Sequence, residues 1–180
     1  IQMYHSAHGP VLKDDNKAYA LRFVGMNDVN HSTAWLKMNK SKNIDEWLDA
    51  LRMEQLASLN LVYADKEDNI FFVHNVKSPV RDPNYNWMQV VPGNKSDLIW
   101  NNFHPFESVP QILNPSSGYI FSTNQNPFFV TAKEDNLSLS NFNPTMGFQT
   151  RTTNRAYRAY ELLDPDKSIS FGDLDKYKHD

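Results

Sequence analysis

Apolar residues recur at helical spacing most clearly in two parts of this chain, and at strand-like spacing in several short ones. In NIDEWLDALRMEQLA, residues 43–57, the side chains of Ile44, Trp47, Leu48 and Leu51 fall on one face. Asn43 can cap that helix, and Asp45 and Glu46 stand in its first turn, where the helix dipole favours acids. TTNRAYRAYELLD, residues 152–164, predicts a second helix, capped by Thr152 or Thr153 and ended by Pro165. LNLVYAD and NIFFVHNV predict two strands of a hairpin, joined through Lys66, Glu67 and Asp68. Residues 2–6 and 18–24 have strand character, with HGPVLKDDNK between them as a loop. A Pro- and Asn-rich connection without a clear period runs from 77 to 115. Short strands are expected at 118–122 and 128–132, followed by a polar surface loop over 133–150. The predicted class is α+β, with antiparallel strands and few helices.

Composition narrows the function classes. The chain has 180 residues, enough to bury a core, and 40% of them are hydrophobic. Eighteen basic residues against 21 acidic ones give a net charge of −3 and no basic stripe, so nucleic acid is not an expected partner. There is no cysteine, which excludes disulfides and thiolate chemistry. No apolar run approaches the roughly 20 residues a membrane helix needs, so no membrane partner is expected. The opening IQMYHSAHGPVLKDD has neither an initiator methionine nor a signal-peptide pattern, and the closing DLDKYKHD gives no sign of a natural stop. Both ends read as cuts within a longer polypeptide.

One polar run stands out. After Gly118–Phe121 come Ser122, Thr123, Asn124, Gln125 and Asn126, stopped by Pro127. These are turn residues, and a turn is the plain reading. The alternative is that one amide is aimed at a substrate as a hydrogen-bond donor. His5, His31, His74 and His104 lack zinc-ligand spacing, and His8 in HGP reads as part of a turn. Asp14, Asp15, Asp45 and Glu46 read as solvated charges and a helix start.

Six collinear blocks carry a family likeness: HGPVL (8–12), NIDEW through LVYADKEDNIFFVH (43–74), VPGN (91–94), HPFESVPQILNPSSGYI (104–120), STNQNP (122–127) and NRAYRAYELL (154–163). With them the sequence resembles the penicillin acylase family of N-terminal nucleophile hydrolases, which includes acyl-homoserine lactone acylases. The resemblance covers the chain to about residue 165. It implies one piece, 1–180, of the β subunit, inside a four-layer αββα fold with a β-rich insert. It also implies hydrolysis of a linear amide, of penicillin type or acyl-homoserine lactone type. The nucleophile would be a serine at the start of that subunit, outside this chain, with its own α-amino group as base. Ile1 has no nucleophilic atom, so the piece alone is expected to be inactive.

By the same resemblance, Asn124 falls where the family keeps its oxyanion-hole asparagine. Arg155 falls where the family keeps an arginine that orients the asparagine and the terminal amine. The segment between them is longer than is usual in the family, and Arg151 or Arg158 could take that role instead. Trp35 and Leu59 fall where the family lines its acyl pocket. The implied partners are the α subunit and the rest of the β subunit, together with a small-molecule amide substrate. The implied location is periplasmic or secreted. Asp68 replaces a glycine usual in the hairpin turn, and Phe71 replaces another. No cofactor is expected. Some relatives bind a structural calcium near the VPG segment, but Trp87 stands near that position here, and an oxygen cage is not evident. The missing nucleophile leaves a second reading open, a non-catalytic binding or structural module.

Overall fold

The computed structural model describes residues 2–74 and 76–180. These form two compact units, one of residues 2–58, 76–109 and 143–147, the other of 59–74, 110–142 and 148–180.

The first unit opens with an antiparallel sheet of β1 (Tyr4–Ser6), β2 (Gly9–Asp14) and β3 (Lys17–Ala20). The stretch expected to be a loop is thus partly the central strand, with Leu12 opposite Tyr19 and Val11 opposite both Tyr4 and Ala20. Gly-Pro reads as a turn in sequence. Here Gly9 starts the strand at φ 142, and Pro10 sits close behind, where a missing N–H is tolerated. A Cβ on Gly9 would lie 2.2 Å from the Leu21 carbonyl oxygen, so the close backbone approach requires glycine. His8 lies in the β1–β2 turn and donates its main-chain N–H to Ser6 Oγ at 3.2 Å.

Helix α1 (His31–Lys40), which the periodicity did not reveal, packs against α2 (Ile44–Leu51). α1 buries only Ala34 and Met38 and has no side-chain cap, so its apolar face is weakly marked. α2 is the predicted helix, ending six residues before the expected limit. The Asn43 side chain accepts from Glu46 N at 2.9 Å, and Trp47, Ala50 and Leu51 are buried. Elsewhere in this unit Lys77 Nζ meets Asp28 Oδ1 at 2.7 Å, with both side chains nearly buried, and the ammonium lies over the Phe103 ring.

The second unit is built on β4 (Asn60–Ala64), β5 (Ile70–His74) and β6 (Gln111–Leu113), antiparallel in that order. The β4–β5 hairpin follows the sequence expectation, although Asn75, within the expected second strand, lies outside the described residues. Asp65 Oδ1 accepts from the main-chain N–H groups of Glu67 and Asn69 and shapes the turn. Asp68 adopts φ 62, which explains why glycine suits that position and why aspartate is tolerated. β6 supplies only three residues from the long connection, too few to signal a strand.

No strand forms at 118–122 or 128–132. One main-chain bond, Phe121 N–H to Val130 O at 2.9 Å, joins the two stretches. Side chains take several of the other backbone groups. Thr131 Oγ1 donates to Tyr119 O, and the Asn136 carboxamide accepts from Val130 N–H while donating to Thr131 O and Ala132 O. Apolar content there reflects burial against Phe72 and Ile112, not a ladder. Helix α3 (Asn154–Leu163) is capped by Thr153, and α4 (Phe171–Lys178) by a Ser170–Asp173 capping box. Phe129 packs against Tyr157 and Tyr160 of α3.

Phe72 is fully buried among Ile112 and Val130. Phe72→Ala should cost about 3–5 kcal/mol of stability, read as a lower urea midpoint. Val62→Ala, its half-exposed cross-strand neighbour, should change stability by roughly 0.5 kcal/mol or less.

Candidate functional site

The polar run 122–126 forms a tight loop in the second unit, and nearly every polar group in it is tied down. Gln125 is buried and folds back along its own loop. Its Oε1 accepts from Thr123 N–H at 2.5 Å and from Thr123 Oγ1 at 3.1 Å. Its Nε2 donates to Phe121 O at 3.2 Å and Phe129 O at 2.9 Å. That uses every donor and most of the acceptor capacity of a carboxamide, as burial demands. Asn126, also buried, donates from Nδ2 toward Thr150 O, Arg151 O and Thr152 Oγ1, just before α3. Its Oδ1 accepts from Phe128 N–H at 2.9 Å, and the buried Pro127 stiffens the exit.

Asn124 is the exception. It is exposed, it adopts a left-handed conformation at φ 68, and its carboxamide has no hydrogen-bond partner among the described residues. Asparagine is among the few non-glycine residues that take this conformation at little cost. The chain therefore presents a free amide on a backbone fixed from both sides.

Arg155, in the first turn of α3, donates from Nη2 to Thr123 O at 2.9 Å. It holds the carbonyl immediately before Asn124. Arg158 pairs instead with Glu161 and Asp180, and Arg151 contributes its main-chain carbonyl to Asn126. Of the three arginines, Arg155 is the one whose guanidinium reaches the loop among the described residues. Leu59 directly precedes β4 in the same unit and is partly exposed. Trp35 belongs to the other unit, on the outer side of α1 at 36% exposure, with its ring edge-on to His31.

Sequence reasoning missed Asn60, which reaches the loop, and His74, which bonds to Asn60. Asn60 and His74 are direct partners across the β4–β5 hairpin. Asn60 Nδ2 donates to Gln125 O at 3.0 Å and toward Ser122 Oγ at 3.4 Å, and Asn60 Oδ1 faces His74 Nδ1 at 2.5 Å. The hairpin register, read from its turn, would have paired these two positions. Nothing in one sequence pointed from them to residue 125. Burial pushes the His74 imidazole down to about 4 from its ordinary 6.5, and its ring lies edge-on to Phe148.

The described residues offer no group of three or more His, Cys, Asp or Glu side chains able to hold a metal ion. Near the VPG segment the Trp87 indole N–H is donated to Asp82 O. No helix is long and apolar enough to cross a membrane among the described residues.

The chain is α+β, as expected, with antiparallel strands and few helices. A solved structure of a thermostable penicillin G acylase from Alcaligenes faecalis superposes with a TM-score of 0.77 at 24% identity, over 98% of this chain and 30% of that one. The penicillin amidase family model matches residues 1–180, and the chain belongs to that family. Penicillin G acylase of Escherichia coli is 35% identical over 129 residues, 69% of this chain and 15% of that protein. Penicillin acylase 2 proenzyme of Pseudomonas sp. (strain SE83) is 29% identical over 121 residues, 65% of this chain and 16% of that protein. The chain thus spans about one sixth of the length of these curated relatives.

The folded state resists protonating His74 until about pH 4, whereas the unfolded chain takes up that proton below its ordinary 6.5. Stability contributed by neutral His74 is therefore present above about pH 6.5 and lost as pH falls toward 4, by on the order of 3 kcal/mol. Urea unfolding between pH 7 and 4 should show this slope, and His74→Asn should flatten it.

Proposed function

We propose that the protein containing this chain is an amidohydrolase that cleaves a linear amide joining an acyl group to an amine-bearing head, and that Asn124 is its oxyanion donor. A penicillin-type side chain and an acyl-homoserine lactone are the candidate substrates. The nucleophile is an N-terminal serine of the same precursor, outside this chain. Its hydroxyl oxygen adds to the amide carbonyl, and its own amine takes the proton. The tetrahedral intermediate collapses as the protonated α-amino group returns its proton to the leaving nitrogen, releasing the amine product, and water, deprotonated by the same amine, then hydrolyses the acyl-enzyme. The carbonyl oxygen carries negative charge at each tetrahedral stage, and the Asn124 N–H groups stabilise it.

The observation that carries this reading is the unengaged Asn124 amide on a loop whose other polar side chains are mostly engaged. A donor that must meet a developing charge has to be accessible, free of competing acceptors and rigidly mounted. Family membership supports the reaction class. Arg155 supports the role assigned to it through its bond to Thr123 O, which steadies the residue before Asn124 and brings a cation close to the loop. The acyl-lining roles of Trp35 and Leu59 belong to the same proposal, since each offers partly exposed apolar surface. The α subunit and the rest of the β subunit complete the enzyme, in the periplasm or outside the cell.

Full-length protein carrying Asn124→Ala should lose about 100- to 1,000-fold in kcat on acyl amides, with precursor processing and thermal melting little changed. Unchanged turnover would sink the assignment. Arg155→Ala should lower kcat and also loosen the loop, so that proteolytic nicking near residue 124 becomes faster.

A further inference from the structure

We propose that Asn60, hydrogen-bonded to His74 on one side and to Gln125 on the other, is a positioning residue that fixes the direction in which Asn124 presents its carboxamide. This rests on the oxyanion role of Asn124 and deepens it.

The argument is one of hydrogen-bond polarity. The Gln125 main-chain carbonyl can only accept, so the Asn60 atom 3.0 Å away must be the NH2 group. The same NH2 group points toward Ser122 Oγ. The Asn60 carbonyl oxygen is then turned toward His74 Nδ1, which must carry a proton and donate. A flipped Asn60 would set oxygen against oxygen at Gln125, so that carbonyl fixes the amide's orientation, and Asn60 Oδ1 in turn selects the Nδ1–H tautomer of a neutral His74, whose N–H then holds the amide in place.

The bonds land on both neighbours of the working amide. Asn60 holds Ser122 and Gln125, the residues two before and one after Asn124. Arg155 and the Gln125 side chain hold Thr123. Of these groups, only Asn60 ties the loop to the sheet of this unit, where β4 and β5 pair it with His74. The restrained carbonyl is that of Gln125, one peptide beyond the one leaving Asn124, so the chain is anchored immediately after Asn124 and its backbone rotation is limited from the Gln125 side. A left-handed residue without such a restraint could relax toward the more populated right-handed or extended regions and swing its side chain away.

The test uses the full-length, processed protein and the same acyl amides. Asn60→Asp keeps the side-chain shape and the acceptor facing His74 but removes the donor to Gln125. It should lower kcat about 10- to 100-fold, with KM within about twofold. His74→Leu should act in the same direction. His74→Asn, whose NH2 can replace the Nδ1–H donor, should restore most of the rate. In an Asn124→Ala background, His74→Leu should produce no further loss, because the group being positioned is gone. A merely structural role would instead lower turnover equally in both backgrounds. The inference is overturned if Asn60→Asp and His74→Leu leave kcat unchanged, or if their losses persist undiminished in the Asn124→Ala background. Should Asn60→Asp fail to fold, the two His74 variants decide. If Asn124→Ala alone leaves turnover intact, the oxyanion reading itself falls and takes this inference with it. Loss in Asn124→Ala but none in the Asn60 and His74 variants removes this inference only.

Discussion

A buried primary amide must place two N–H donors and a carbonyl oxygen, and the loop at 122–126 is organised around that requirement. The Gln125 side chain meets it entirely from its own neighbourhood, at Phe121, Thr123 and Phe129. Because those partners are main-chain groups on both sides of the bend, satisfying the amide also closes the bend. Leaving any of these groups unpaired in the interior would cost on the order of 1–3 kcal/mol. The loop thus has one well-satisfied geometry, and in that geometry Asn124 is turned outward with nothing left to bind within the chain.

Amides recur through the second unit in the same capacity. Asn126 joins the loop to the approach to α3, Asn136 pairs the backbone of 130–132, and Asn114 accepts from Ile70 N–H across the sheet. Where a regular sheet would use ladder bonds, this unit uses side-chain carboxamides. Such bonds can be placed wherever the chain turns, which lets the backbone take irregular paths without stranding buried polar groups. The aromatic residues fill the space between them: Phe128, Phe142 and Phe148 meet edge to face, and Phe129 lies against the α3 tyrosines.

The same chemistry explains what could be read beforehand. Helices α2 and α3 and the β4–β5 hairpin carry their signals locally, in a capping residue, a repeat of apolar positions or a turn with its acids, and these were legible. The strand β2 was hidden because its Gly-Pro start answers to the approach of Leu21, a neighbour in space that no local pattern reveals. Residues 118–122 look like a strand because Tyr119, Ile120 and Phe121 are apolar and at least half-buried, yet side chains from Thr131 and Gln125 take bonds a partner strand would take. Helix α4 had a legible start in Ser170 and Asp173, but few apolar residues to extend the signal. Asn124 and Arg155 could be singled out only through family likeness. Composition alone left Asn124 as a turn residue, and its conformation shows it to be one as well. Asn60, His74 and Gln125 become visible only once the hairpin and the loop are brought together.

Arg155 reaches Thr123, and Asn126 reaches the residues just ahead of α3, so loop and helix are fastened to each other directly. The chain that runs between them is a detour whose length does not enter the fastening. A longer or a shorter excursion at this point would therefore leave the amide and the guanidinium in the same relation. Relatives that differ in this spacing are better matched by which carbonyl their arginine grips than by how many residues intervene.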